Sequence, residues 1–435
     1  MKEGYETTNL SARPVGSKIG EMVLDQLEQL AREGARQLIA QMLEVEVDEF
    51  LGRMRYARAE TRRGYRNGYL PERTIGVGLG AIPIRQPRVS DVPGEVASDG
   101  FRSQIIRRCQ RLSDASRQTL TRSYLEGLSS GDFEPVFRGL LGETAPLSAS
   151  SIVRLKAEWQ AEFDLWQKRR LEAHRYVYIW VDGIYLDAGQ EDEKTALLYV
   201  LGLRDDGQKE LLGLSIGYRE STESWAALLR ALRDRGMRQP LLAIGDGALG
   251  IWAALREVWP ACRRQRCWNH RVLNVLDALP KRLWAQVRKD LRHAAQAPTR
   301  QACRDRLEAI AADLRQAGQA AAAETVLRDL DDFLTFYDIL QEHWTHLRTT
   351  NPIESIFAGV RLRTEVTKHA PNRENAQYLV FKLIERLRQN WRRITGSTLC
   401  QLVLRGRTFV DGQLQDLAAE LKAGKRRDNS NPHKI

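Results

Sequence analysis

No apolar run in this 435-residue chain approaches the roughly 20 residues needed to cross a bilayer. The longest are strand-sized, so no membrane partner is expected. Residues 1–15 carry early acids and no continuous apolar core, which argues against a secretory signal and leads us to expect a cytoplasmic, nucleoid-associated location. Cysteine is scarce. The five (Cys109, Cys262, Cys267, Cys303 and Cys400) are odd in number and widely spread, which argues against a disulfide framework. Cys262, Cys267 and His270 lie close in sequence, but no fourth nitrogen or sulfur ligand stands nearby, so a structural zinc site is not expected. Internal repeats and low-complexity segments are also missing.

Positive charge, by contrast, is in excess. Lys plus Arg number 67 against 56 Asp plus Glu, a formal net charge of +11, which favours a polyanionic partner such as a phosphate backbone. The length allows two to four domains. Residues 21–60 have helical periodicity (Val23, Leu27, Leu30, Leu38, Ile39, Met42, Leu43) with a break expected at Gly34, as in an amphipathic helix pair. Arg66 and Asn67 lie in the basic, glycine-punctuated segment 62–69, which suits a nucleic-acid contact and a solvated loop equally. Residues 74–85 alternate like a small hairpin, and 86–100 read as a linker. Within 112–170, a short helix at 132–141, a break, and a longer helix at 148–162 carrying Arg154 and Lys156 have the pieces of a helix-turn-helix; an all-helical spacer fits as well.

The run Tyr176-Val177-Tyr178-Ile179-Trp180-Val181 predicts a strand covered on both faces, with the chain leaving the sheet at Asp182-Gly183. Strands follow at 195–203, 210–217, 240–245 and 261–267, with helices at 224–235 and 251–258. Three antiparallel strands and then two parallel ones is the order of a ribonuclease H-like α/β core with a mixed five-stranded sheet. Residues 272–341 show no strand signal and read as an all-helical insertion; the polar tail beyond residue 423 reads as disordered.

This order brings Asp182 and Asp246 to neighbouring strand ends, and Glu354 is a third candidate. Such carboxylates are hard oxygen ligands able to hold Mg2+, and two divalent ions about 3.5–4 Å apart are suited to phosphodiester cleavage. Each acid also has a plainer reading. Asp before Gly is a common turn, and in Asn351-Pro352-Ile353-Glu354 the Asn can cap a helix whose Glu closes a capping box. Asp187, Asp205 and Glu257 are competing acids.

The motifs Trp180-Val181-Asp182-Gly183, Gly245-Asp246-Gly247, Cys267-Trp268-Asn269-His270 and Thr349-Thr350-Asn351-Pro352-Ile353-Glu354-Ser355, followed by Arg361-Leu362-Arg363-Thr364, resemble the Mutator-like transposases of bacterial insertion sequences. Arg66-Asn67-Gly68-Tyr69 and Pro87-Arg88 add to the resemblance upstream. Just after His270 the chain departs from the family's usual Arg-Asn pair, since Leu273 stands before Asn274. The resemblance implies that Asp182, Asp246 and Glu354 bind Mg2+, with Mn2+ able to substitute, and that Cys267 and His270 are a structural signature. It also implies that an aromatic near the third acid can hold an unstacked base, for which Trp344 and Trp268 are candidates, each equally readable as core. Arg361, Arg363 and Lys368 are candidate phosphate contacts, with a solvated helical face as the plainer reading.

The expected function is that of a transposase. It would bind terminal inverted repeats and target DNA, cleave element ends, and join the freed 3′-hydroxyl by transesterification without a small-molecule cofactor. A homodimer through the N-terminal helices is expected. A DNA-binding regulator, an inactive derivative, or a ribonuclease H-fold nuclease without joining are the competing readings. The expected division is 1–72 for dimerisation and DNA binding, 73–100 for ribbon and linker, 101–170 for a helical DNA-binding domain, 171–271 and 346–400 for the core, 272–345 for the insertion, and 401–435 for a basic tail.

Overall fold

The computed structural model describes residues 16–57, 63–90, 101–107, 110–126, 128, 133–141, 149–186, 195–217, 220–247, 249–354, 356, 360 and 373–415. Contacts divide the chain into two units, 1–155 and 156–435. Among the described residues, no helix is long and apolar enough to cross a membrane.

In the first unit, α1 (Gly16–Leu51) is one unbroken helix of 36 residues, not the expected pair. A single glycine within a helix costs only about 1 kcal/mol, and flanking residues of good helix propensity carry the helix through Gly34. One side of α1 buries Leu43, with Ala35 and Ile39 packed beside it, against Ile75, Ile82, Ile84 and Ile106. Three of those isoleucines, Ile75, Ile82 and Ile84, come from the hairpin β2 (Arg73–Val77) and β3 (Gly80–Ile84), in which Ile75 pairs with Ile82. Period-2 alternation turns them toward the helix, and Arg32 Nε donates to the Leu79 carbonyl at the hairpin tip at 2.7 Å. The expected linker begins as a strand instead: β4 (Pro87–Ser90) pairs antiparallel with β1 (Tyr65–Tyr69). Pro87 lies at the start of β4, where the missing N–H is tolerated. The rest of that linker, 91–100, lies outside the described residues.

The helices α2 (Asp114–Glu126), α3 (Phe133–Leu141) and α4 (Ala149–Lys168) follow. The turn between α3 and α4, at 142–148, lies outside the described residues. The second half of α4 is not a free recognition face. Trp159 and Phe163 are buried, Phe163 packs on Tyr378 and Phe381, and Lys382 pairs with Glu162. Arg169, just past the helix end, donates to Glu210 at 2.8 Å and to the Leu211 carbonyl.

The second unit is built on a five-stranded sheet in the order β7-β6-β5-β8-β9. β5 (Tyr176–Leu186), β6 (Thr195–Arg204) and β7 (Lys209–Gly217) form an antiparallel meander, and β8 (Leu242–Gly245) and β9 (Arg263–Arg266) add in parallel beyond β5. One face is covered by α5 (Thr222–Asp234) and α6 (Leu249–Val258), whose Trp225, Leu229, Leu232, Trp252 and Leu255 pack on Ile179, Val181 and Ala243. Ser221 caps α5 by accepting from the Ser224 N–H at 3.1 Å. The other face receives a helical region: α7 (Trp268–Asp277), α8 (Trp284–Ala295), α9 (Arg300–Gln316), α10 (Ala320–Leu327), and short helical turns that reach Leu347. There the Gln265 amide donates to the Phe333 carbonyl and its carbonyl accepts from the Phe336 N–H. Further on, α11 (Arg373–Arg388) packs beside β7, and Gln377 donates to the Leu214 carbonyl. The tail beyond 423 lies outside the described residues.

Gly250 opens α6 where a Cβ would come within 2.4 Å of the Glu220 carbonyl oxygen and 2.9 Å of the Ser221 and Thr222 backbone. Backbone atoms cannot swing aside as side chains do. Gly250→Ala is therefore expected to destabilise the protein by about 1–3 kcal/mol in equilibrium denaturation, through overpacking between the starts of α5 and α6.

Candidate active site

The first two acids are brought together by register. β5 and β8 run parallel with Val181 opposite Gly245, so the next residues, Asp182 and Asp246, lie side by side where β8 ends. The sequence suggested that the first strand itself ends there. Instead β5 continues through Leu186, still paired with β6 as far as Thr195, and only its parallel partner stops. Asp182 thus sits on a continuous strand, directly opposite Tyr199. Its Oδ1 accepts the Gly183 N–H at 2.9 Å. Burial raises its pKa above the ordinary carboxylate range, and Asp246 adds to the rise; the Tyr199 hydroxyl, His270 and the Gly183 N–H oppose it. Asp246 is more open, with its Oδ1 on the Gly247 N–H and its carbonyl accepting from Trp252 Nε1 at 3.0 Å.

The third acid arrives on the sheet face that α5 and α6 leave open. Alternation along β5 puts Tyr178, Trp180 and Asp182 on one side, and the first two anchor the segment that leads to Glu354. The Tyr178 hydroxyl meets His343 Nδ1 at 2.7 Å, His343 Nε2 lies 3.0 Å from the Gly396 carbonyl oxygen, and Trp180 Nε1 donates to the His346 carbonyl at 3.0 Å. Burial lowers the His343 pKa, which keeps the ring neutral. The segment is also tied to α7. The Trp268 N–H donates to the Arg348 carbonyl, Asn269 Nδ2 donates to Asn351 Oδ1 at 2.7 Å, and the Thr350 N–H points to Cys267 Sγ at 3.3 Å.

Fully buried Thr350 then donates its hydroxyl to Glu354 Oε1 at 2.6 Å, and its oxygen lies 3.2 Å from Cys267 Sγ. The capping box that is the plainer reading of Asn351 and Glu354 does not form. Helix begins at residue 351, the Thr350 carbonyl accepts the Glu354 N–H, and the Asn351 side chain is engaged by Asn269. Glu354 is thereby oriented by Thr350 rather than spent on a helix cap.

His270 stands between the acids. Its Nδ1 is 3.8 Å from Asp246 Oδ1, and its ring, Cys267 and a Glu354 oxygen offer ligand atoms within 4.8 Å of one another. Among the described residues this is the one such group of three or more; Asp182 and Asp246 are not part of it. Burial works against charge on the imidazole, but Cys267 beside it and the nearby Asp246 and Asp182 raise its pKa to about 9.

Sequence reasoning missed a fourth acid, Glu220. Its carboxyl is held above the ordinary range by burial and then by Asp182 and Asp246, while Tyr185 and His270 oppose the shift. It fills the space beside Gly183, where a Cβ would meet Glu220 Oε1 at 2.6 Å. Its sequence context, Glu220-Ser221-Thr222-Glu223, reads only as the capped start of a helix, and the one signal toward the site is the glycine after Asp182.

Other candidates separate. Glu257 pairs with Arg230 at 2.5 Å on the surface, and Asp205 lies 3.4 Å from His174 at a turn. Asp187 lies outside the described residues, as do Arg361, Arg363 and Lys368. Trp344 is 7% exposed, donates to the Ile339 carbonyl at 2.8 Å and is edged by Phe336 and Tyr337, so it offers no face to a base and instead braces the approach to Glu354. Trp268 is buried too, with Nε1 on the Phe333 carbonyl. In the first unit, the Arg66 guanidinium is held by Glu44 and Asp48 of α1, which ties β1 to that helix. Asn67 is exposed; Arg154 is exposed and Lys156 half-buried on α4.

A family model described as "Transposase, Mutator family" matches residues 14–394. The "Transposase for insertion sequence element IS6120" of Mycolicibacterium smegmatis is 47% identical over 298 residues, which cover 68% of this chain and 92% of that protein. That for element IST2 of Acidithiobacillus ferrooxidans is 39% identical over 275 residues, 63% of this chain and 93% of that protein. That for ISRM5 of Rhizobium meliloti is 28% identical over 393 residues, 88% of this chain and 94% of that protein.

Because burial raises the folded-state pKa of Asp182, its charge opposes folding at neutral pH, and this penalty fades as pH falls through that pKa toward the unfolded value near ~3.9. Asp182→Asn is therefore expected to melt at a higher temperature than the parent in chelator at neutral pH. That advantage should shrink on acidification, as followed by circular dichroism.

Proposed function

The chain belongs to the Mutator family of transposases, and from that premise we propose that it cuts DNA at the ends of a mobile element and joins the freed 3′-hydroxyl to target DNA, using Asp182, Asp246 and Glu354 on a ribonuclease H-like core. DNA is the partner this family implies, and the formal net charge of +11 suits it. The observation that carries the reading is the parallel register that aligns Asp182 with Asp246 at the end of β8.

The donors fit Mg2+ or Mn2+. They are hard carboxylate oxygens, and Asp182 is a buried carboxylate whose charge the protein compensates only in part, which a cation would relieve. Bound there, divalent ions would help form the oxygen nucleophile and neutralise charge on the phosphate. The protein's own part is placement. β5 and Tyr199 fix Asp182, Gly247 and Trp252 fix Asp246, and Thr350 aims Glu354. His270, charged at neutral pH, sits beside Asp246 where it can meet a phosphate oxygen or balance the acids. Glu220 adds a further carboxyl group at the same corner, close to Asp182 and Asp246.

The proposed homodimer rests on α1. Opposite the face that packs on the β2–β3 hairpin, Val23, Leu24, Leu27, Leu30, Leu38, Met42 and Val45 are exposed, and at 100° per residue they fall in an arc of about 120°. A stripe of that width over six turns suits a second copy of the same helix, which would hold two element ends together.

Labelled duplexes carrying the element's own ends test the chemistry. With Mg2+, Asp182→Asn, Asp246→Asn and Glu354→Gln should each lose at least about 10²-fold in both nicking and joining while still binding the duplex. Nicking that persists in these variants would overturn the assignment; joined products that never form would reduce the chain to a nuclease. For the dimer, Leu27→Lys with Leu38→Lys is expected to halve the mass seen by sedimentation equilibrium.

A further inference from the structure

The cluster of Cys267, His270 and Glu354 is unlike the neighbouring acids in its chemistry. It offers one sulfur, one nitrogen and one oxygen, with ligand atoms within 4.8 Å of one another. We infer that these three side chains form a binding site for a thiophilic divalent cation of the Zn2+ class, and that filling it withdraws Glu354 from Asp182 and Asp246. The withdrawal rests on the transposase chemistry proposed above; the site itself does not.

Donor geometry argues first. Bonds of about 2.0–2.3 Å in a tetrahedron place ligand atoms roughly 3.3–3.8 Å apart, so small side-chain rotations close this cluster on an ion. The sequence alone lacked a further ligand near Cys267 and His270; folding supplies Glu354 from the segment that follows His346. Two of the three donors come from a rigid platform. Cys267 is the residue before α7, it is 1% exposed, and His270 follows in the first turn.

A second observation is independent of the cluster's composition. His270 Nδ1 is buried without a hydrogen-bond partner, although buried polar atoms are nearly always satisfied. The atoms around the donors complete the picture. The Thr350 N–H points to Cys267 Sγ and its hydroxyl donates to Glu354 Oε1, contacts of the kind that orient metal ligands. Asp246 Oδ1 lies 3.8 Å from His270 Nδ1 but outside the cluster, and the fourth position is left to water.

Selectivity follows from ligand softness. Mg2+ takes oxygen and avoids thiolate, whereas sulfur with imidazole selects zinc-like ions. One carboxylate therefore serves two sites of opposite preference, and the two cannot both hold Glu354 fully. Thiol and imidazole donors bind a metal only in their deprotonated forms, so uptake weakens as pH falls. A thiophilic ion at this position acts as an inhibitor that leaves Asp182 and Asp246 in place.

Cobalt(II) is the probe, added to full-length, chelator-treated protein. One equivalent should give tetrahedral d–d absorption with a thiolate-to-cobalt charge-transfer band, displaced by Zn2+. Cys267→Ser should lose that band, Glu354→Gln should weaken binding by about 10–100-fold, and Cys303→Ser should leave the spectrum as it is. Absence of the band in the parent, or its persistence in Cys267→Ser, overturns the site. Should Cys267→Ser fail to fold by circular dichroism, His270→Gln replaces it, with loss of the tetrahedral spectrum as the expected result and retention as the overturning one. The second arm titrates Zn2+ against Mg2+-dependent nicking, each variant scaled to its own zinc-free rate; the half-inhibitory concentration should rise at least about ten-fold in Cys267→Ser. A parent that shows the band but no nicking with Mg2+ keeps the cation site and overturns the inhibition together with the transposase chemistry.

Discussion

Pairing between β5 and β8 is the constraint on which the candidate site depends. Four matched residue pairs, ending at Val181 and Gly245, bring together two acids that are 64 residues apart in sequence. Because the strands are parallel, their carboxyl ends open at the same edge, and the chain after β8 must turn away there into α6. A slip of one residue would carry Asp182 to the opposite face and break the alignment. Register is protected by burial: Tyr178, Ile179 and Trp180 are fully covered, so every alternative pairing exposes an aromatic or leaves its polar tip unpaired.

That burial also decides how the third acid arrives. A strand with both faces apolar requires cover on both, and the second cover is the region from α7 to Leu347. Tyr178 and Trp180 present a hydroxyl and an indole N–H to that cover, and His343 with the His346 carbonyl satisfies them. The same contacts that satisfy buried polar atoms therefore position the residues leading to Thr350 and Glu354. Core packing and site geometry are one set of interactions here.

Much of this was legible in the sequence, for stated reasons. The run from Tyr176 to Val181 reads as a buried strand because nothing but double-sided burial accommodates six consecutive apolar or aromatic residues, and the strand order after it follows from turn residues such as Asp205-Asp206-Gly207. The misreadings have physical causes. Gly34 looked like a break, but propensity is a weak local term that neighbours outvote. Pro87 masked a strand whose partner, β1, lies some twenty residues earlier. Asn351 looked like a helix cap because sequence does not reveal that Asn269 takes its side chain. Arg66 carried the pattern of a phosphate contact, yet its neighbours in space are Glu44 and Asp48. Glu220 and the convergence of Glu354 with Cys267 and His270 were invisible because tertiary contacts alone create them.

Thr350 has a consequence for how this molecule loses order. The frame of reference for Glu354 is the start of α7, whereas Asp182 and Asp246 are fixed to the sheet itself. Two structural parts of unequal strength thus share one centre, since the sheet is a continuous hydrogen-bonded ladder and the Thr350 link is a few side-chain contacts. Native-state opening tends to begin in the weaker of two such parts. Separation of Cys267 from Thr350 releases the third acid while the other two stay aligned. On the chemistry proposed above, competence is then lost in a partial, reversible opening that consumes only a fraction of the free energy of unfolding, and the centre comes apart along its seam well before the protein does.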